Sequence, residues 1–252
     1  MEIKRILITQ PNPENGKSPY HDMAEKYGLT IDFRPFITVE GVSLKEFRKA
    51  KINLLEQTAV IFTSKTAVDN YFRLADEQKL TIPNTMKYFC LSESIAFYLQ
   101  KYIVYRKRKI FFSTGNFDDL LEVLNKHQQE KYLLPVSDIH KPDIPKKLEK
   151  NKFIFTKAIL YKTVSSNLSD LKDVNYDVLV FFTPAGIQSL LENFPTFQQN
   201  KTKIAAFGPL TTKAVKKAGL RLDIKAPTDE SPSMTMALEQ YIKDNLKKAN
   251  SK

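Results

Sequence analysis

AVIFTSKTAV, residues 59–68, and LVFFTPAGI, residues 179–187, decide how this chain is read. Each is an apolar run of strand length that ends on phenylalanine, turns through a hydroxyl side chain and enters a helical pattern. Setting Phe62 against Phe181 puts Ser64 opposite Thr183. Further along, Lys87-Tyr88-Phe89-Cys90-Leu91-Ser92 matches Lys203-Ile204-Ala205-Ala206-Phe207-Gly208 in the same order. The opening Arg5-Ile6-Leu7-Ile8-Thr9, with its helix and extended segment, parallels residues 131–136 and 153–163. A repeat this long reports duplication of a domain rather than a solenoid.

Outward from these pairs, strand patterns fall at 3–9, 30–37, 58–63, 86–91, 109–112, 132–135, 153–163, 177–182, 203–207 and 222–225. Helical patterns lie between them, among them 66–75, 118–126, 187–194 and 233–246. Such alternation calls for parallel sheets flanked by helices, an α/β class. Segments 30–38 and 153–164 alternate apolar with polar residues and resemble exposed connectors; Pro35 discourages a central strand in the first. Two connectors rather than one suggest that the chain leaves its first domain and returns. The expected division is 1–37 plus 163–252 for one domain and 38–162 for the other.

Composition narrows the function. A single cysteine, Cys90, excludes an internal disulfide and a multi-cysteine metal cluster, and its apolar neighbours suit a buried strand thiol. His21, His127 and His140 have no metal-ligand spacing; neither G-x-S-x-G nor H-E-x-x-H occurs, and no Gly-rich phosphate loop is present. The start is too soon interrupted for a signal peptide, and the apolar runs are too short to span a bilayer, so a cytoplasmic protein is expected. Net charge is +11, part of it in Arg106-Lys107-Arg108-Lys109 and in the lysine-rich tail 247–252. Both runs read as solvated, and no nucleic-acid motif accompanies them.

Residues 207–220, FGPLTTKAVKKAGL, raise the functional question. A strand breaks at Gly208-Pro209, and Thr211 and Thr212 precede a Lys-rich helix closed by Gly219. Hydroxyls there serve either to cap the helix or, with its free amides, to bind an anion.

These turns together resemble the uroporphyrinogen-III synthase family. Residues 60–68 resemble that family's first "FTS…AV" signature and Phe181-Phe182-Thr183-Pro184-Ala185-Gly186 its second. Residues 207–214 resemble its "G-P-x-T" turn, and Ile159-Leu160-Tyr161-Lys162-Thr163-Val164 its "vY-x-T-v" connector. The resemblance runs over most of the chain. It implies two α/β domains joined by a two-stranded extended connector with a cleft between them. It also implies an enzyme of tetrapyrrole biosynthesis, a cyclising hydro-lyase, that closes hydroxymethylbilane into uroporphyrinogen III with loss of water and inversion of the last ring. No metal and no cofactor are implied.

The substrate's eight carboxylates suit basic side chains, helix N-termini and turn amides. The resemblance makes Tyr161 the candidate catalytic residue, hydrogen-bonded to the departing hydroxyl. Thr63, Ser64, Lys65, Thr183, Gly208, Pro209, Thr211 and Thr212 are the candidate substrate-binding set. Two departures stand out: the first copy of the turn reads Ser92-Glu93-Ser94-Ile95, and the first strand ends Thr9-Gln10-Pro11 where many relatives carry arginine. The expected partner is the polycarboxylate tetrapyrrole alone, bound by a monomer without nucleic acid or membrane. The alternatives are a non-catalytic anion- or tetrapyrrole-binding member of the family and a nucleic-acid-binding protein.

Overall fold

The apolar runs set out above become the strands of two sheets. The computed structural model describes residues 3–13, 18–172 and 175–250, with main chain alone for 248–250; most of the basic tail therefore lies outside the described side chains. In chain order the regular elements begin β1 (Arg5–Ile8), α1 (Pro19–Tyr27), β2 (Thr30–Phe33), β3 (Ile37–Gly41), α2 (Leu44–Lys49), β4 (Ala59–Phe62) and α3 (Lys65–Glu77). They continue β5 (Lys87–Cys90), α4 (Glu93–Tyr98), β6 (Ile110–Phe112), α5 (Phe117–Asn125), β7 (Tyr132–Ser137), α6 (Asp143–Lys150) and β8 (Phe155–Ser165). The last are β9 (Val178–Phe181), α7 (Pro184–Asn193), β10 (Lys203–Phe207), α8 (Pro209–Lys217), β11 (Ile224–Ala226) and α9 (Met234–Asn250).

The chain divides into two units, Met1–Thr38 with Val164–Lys252, and Val39–Thr163. The first unit holds a parallel sheet in the order β11-β10-β9-β1-β2. The second holds β3-β8-β7-β4-β5-β6, parallel from β8 to β6. If β7 is counted as the first strand of the second unit, β8-β7-β4-β5-β6 reproduces β2-β1-β9-β10-β11. The two units share one layout, and the second is a circular permutation of the first. This is the physical content of the sequence repeat.

Strand alternation buries both faces of each sheet. In the first unit Ile6, Ile8, Val178 and Val180 pack under α1 and α9 beside Met23 and Leu238. Leu7, Leu179 and Phe181 turn to the opposite face and meet Ile187, Leu190 and Val215 of α7 and α8. In the second unit Val60, Phe62, Tyr88 and Cys90 pack against α3 and α4, while Ala59, Ile61, Phe89 and Leu134 pack against α5 and α6. Cys90 is buried and its thiol is pushed up to about 12 by desolvation, which leaves it inert as a nucleophile.

One expectation is corrected. Residues 30–38 are not one exposed connector, and neither are 153–164, where β8 lies between β3 and β7 with Ala158 and Leu160 buried. β2 pairs with β1 as the edge of the first sheet, and β3 belongs to the second sheet beside β8. The break falls at Arg34-Pro35-Phe36. Pro35 offers no N–H to a ladder, Arg34 N–H still donates to Ile8 O at 3.0 Å, and Phe36 is buried with its carbonyl accepting from Ser166 N–H at 2.9 Å. The chain passes between the units within β3 and within β8, which are neighbours in the second sheet.

Candidate active site

In open parallel sheets, ligands gather beyond the carboxyl ends of the strands, where the connections diverge to either side. That point lies between β1 and β9 in the first unit and between β7 and β4 in the second. The candidate residues sit at or beside these two points, in the turns and first helical turns after β4, β9 and β10, with Tyr161 on β8.

In the second unit β4 ends at Phe62, and Thr63 and Ser64 turn the chain into α3. Ser64 is the N-cap: its backbone is extended, and its hydroxyl oxygen accepts the Ala67 N–H at 3.1 Å. Tyr161 of β8 brings its hydroxyl to 3.3 Å from the same Ser64 oxygen. A β-bulge explains how Tyr161 reaches there. Val136 pairs with Ile159 but Ser137 pairs with Tyr161, so Leu160 is an extra residue. Leu160 and Tyr161 consequently pack against the same core layer beside α3, rather than pointing to opposite faces.

Asp138, at the end of β7, holds this bulge. Its N–H donates to Tyr161 O at 3.1 Å. Its carboxylate accepts from Thr163 N–H at 3.0 Å and from Ser137 Oγ and Ile139 N–H at 2.8 Å each. Burial opposes its ionisation, but these donors and the nearby Lys162 charge hold its carboxyl below the usual carboxylate range. Lys65 opens α3; it is exposed, and its ammonium lies 5.3 Å from the centre of the Tyr98 ring.

In the first unit Thr183 repeats the role of Ser64, accepting the Gly186 N–H at 3.2 Å as N-cap of α7 with Pro184 in the first turn. On the neighbouring strand β10, Gly208 is the N-cap of α8 at φ 84° and ψ 157°, a conformation essentially reserved for glycine. Pro209 follows as the first helical residue and has no N–H to satisfy. The first main-chain bond of α8 runs from Thr212 N–H to Gly208 O at 3.0 Å, so the amides of Leu210 and Thr211 precede the ladder. No side chain caps this end. Thr211 is buried on the same helix face as Val215, and the Thr212 hydroxyl is enclosed without a hydrogen-bond partner.

The structure thus brings Ser64 and Tyr161 into contact, and sets Thr183 and Gly208–Thr212 on adjacent strands of the other unit. The counterpart of α8 is α4, where Glu93 stands in place of Pro209. A carboxylate already occupies that helix N-terminus, so anion binding there is opposed. Two residues escaped the sequence reading. Asp138 lies in Ser137-Asp138-Ile139-His140, where no local pattern announces a bulge. Thr9, whose buried hydroxyl donates to Val180 O at 2.7 Å, ties β1 to β9 at the divergence point. Among the described residues no group of three His, Cys, Asp or Glu side chains is placed to hold a metal ion.

No curated protein sequence matches the chain significantly. Among solved structures, uroporphyrinogen-III synthetase from Helicobacter pylori is similar at TM-score 0.58 and 18% identity, over 96% of this chain and 99% of that one. A mutant uroporphyrinogen III synthase from Thermus thermophilus aligns over 97% and 99% of the two chains at 17% identity, with a TM-score of 0.47. The Helicobacter likeness supports the fold. The family model described as "Uroporphyrinogen-III synthase HemD" matches residues 18–236. Those residues include both N-caps, the bulged strand with Tyr161 and the Gly208 turn, and the chain belongs to the uroporphyrinogen-III synthase family.

Proposed function

We propose that this chain closes hydroxymethylbilane into uroporphyrinogen III as a cytoplasmic, monomeric hydro-lyase, with Tyr161 assisting departure of the hydroxyl. The hydroxymethyl C–O bond breaks, the oxygen leaves as water, and the resulting azafulvene is attacked through a spiro intermediate that inverts the terminal ring. The observation that carries the assignment of Tyr161 is its hydroxyl 3.3 Å from Ser64 Oγ, at the N-terminus of α3. A phenol hydroxyl placed there can donate a hydrogen bond to a leaving oxygen.

The eight substrate carboxylates suit the N-terminal ends of α3, α7 and α8, where backbone amides and the positive dipole end favour negative charge. Thr63, Ser64 and Lys65 supply these contacts from one unit. Thr183 and the Thr211 amide supply them from the other, the Thr211 side chain being buried, while Gly208, Pro209 and Thr212 shape the turn that presents that amide. The chemistry needs a held, curled substrate more than a strong acid, so positioning dominates. A coupled assay with hydroxymethylbilane, scoring the type III against the type I isomer, tests this reading. Type III product well above background is expected; type I alone at the uncatalysed rate would leave only the non-catalytic binding alternative.

A further inference from the structure

The permuted duplication allows the opposite, amino-terminal rims of the two sheets to be compared. In the first unit several cations of this rim are paired, while Lys201 is exposed without an ion pair among the described residues. Arg5 pairs with Asp32 at 3.1 Å, and Asp223 takes both Arg221 at 2.9 Å and Lys203 at 3.5 Å. In the second unit the loop entering β6 carries Arg106, Lys107, Arg108 and Lys109, and among the described residues no carboxylate forms an ion pair with any of them. Lys109, partly withdrawn from water and beside Arg106 and Arg108, has its ammonium held below the usual lysine range. Lys126, Lys131 and Lys152 extend the same rim, exposed and without ion pairs among the described residues.

Backbone geometry points the same way. Lys79 and Lys152 follow α3 and α6 at φ 55° and 59°, the left-handed region where glycine or asparagine is usual. In the first unit the position corresponding to Lys152 is Gly28. The second unit thus places a long cation where the first follows the common rule. A lysine there also complements the helix dipole, so the unpaired rim charge is the stronger observation.

The same rim exposes aliphatic side chains. Val104 is 76% exposed in the loop before β6, and Ile154 is 61% exposed just before β8. Phe97 is half exposed and stacks on Tyr105, ring centres 5.7 Å apart. Five parallel strands make this rim about 20 Å wide. We propose that the amino-terminal rim of the second sheet docks on an anionic phospholipid surface, with the basic loop on the headgroups and Val104 and Ile154 at the acyl boundary. Nucleic acid fits less well. Base stacking uses open ring faces, whereas the most exposed apolar groups here are aliphatic and one face of Phe97 is taken by Tyr105. Because the rim lies at the far end of the strands from Ser64 and Tyr161, docking leaves the loops at the carboxyl ends of that sheet uncovered.

Co-sedimentation with phosphatidylcholine vesicles, with and without about 30% phosphatidylserine, tests the surface. The full chain is expected to bind only the anionic vesicles and to be released by high salt. Arg106→Gln with Arg108→Gln should lower partitioning about 30-fold, at about fivefold per cation. Val104→Ser should lower it severalfold at constant charge. The isomer assay on the same variants should be unchanged, which shows them folded and separates this proposal from the catalytic one. No binding to anionic vesicles, equal binding by wild type and both variants, or retention of a single-stranded RNA oligonucleotide without vesicle binding would overturn it.

Discussion

Replacing Gly208 with alanine isolates a pure backbone effect. At φ 84° and ψ 157° the residue occupies a region that L side chains avoid, yet an added Cβ would meet no atom within 4 Å. No packing clash enters, so the cost is conformational, about 1–3 kcal/mol. The alanine also reduces the freedom of the unfolded chain, which offsets about 0.4–1 kcal/mol of this. The net loss is then about 1.3 kcal/mol at mid-range and at most about 2.6, and the mid-range value corresponds to a fall in Tm of roughly 3–5 °C for a chain of this size. Thermal and urea unfolding followed by circular dichroism measure it. If the turn relaxes instead, stability is spared but the Leu210 and Thr211 amides are re-aimed, and KM for hydroxymethylbilane rises. A Gly208→Ala protein with both Tm and KM unchanged would refute the claim that this backbone shape is required.

The remaining expectations concern single contacts. A Cβ on Gly41 would lie 2.5 Å from Arg73 Nη2 and from Asn70 Oδ1, displacing a guanidinium that donates to Val42 O at 2.8 Å; Gly41→Ala should therefore destabilise, and a double-mutant cycle with Arg73→Ala should be strongly non-additive, whereas additivity would remove the clash as the cause. Ser64→Ala and Thr183→Ala should each cost about 1 kcal/mol in urea unfolding as lost N-caps, while Ser92→Ala, which makes no capping bond, should cost much less. Tyr161→Phe should slow turnover by about ten- to a hundred-fold with the type III isomer retained; a normal rate in the coupled assay would take Tyr161 out of the mechanism. Asp138 is held below the usual carboxylate range, so its contribution to stability is present above its unfolded value of about 3.9 and is lost as pH falls through the lower folded value. Asp138→Asn should flatten that part of an acid-unfolding profile, and an unaltered profile would contradict the role given to its hydrogen bonds.

The α/β layout was legible because each buried strand writes its own signal. Val178–Phe181 and Ala59–Phe62 are continuous apolar runs, as strands covered on both faces must be, and Ser64 and Thr183 announce the helices that follow. β3 was not legible, because Ile37-Thr38-Val39-Glu40-Gly41 looks like the tail of the segment before it. Only Pro35, by denying a ladder bond, marks the handover from one sheet to the other. The candidate site divides in the same way. Hydroxyls at helix starts can be read from local pattern, but the nearness of Tyr161 to Ser64 depends on an extra residue in β8 that only strand pairing exposes. Likewise Thr211 sits in a turn that looks solvated, yet helical periodicity sends its side chain to the core with Val215.

The interrupted course of the first unit has a consequence for how the chain is made. β1 and β2 leave the ribosome first, but their sheet is completed only by β9, β10 and β11, which follow the entire second unit. At about 5–20 residues per second, ~190 residues separate β2 from the end of β11, so the nascent β1–β2 pair waits on the order of ten to forty seconds with one edge unpartnered. The second unit, contiguous from Val39 to Thr163, gathers all its strands in that interval. Synthesis therefore favours its completion first, and a truncation after β8 should yield a folded second unit carrying an aggregation-prone N-terminal arm.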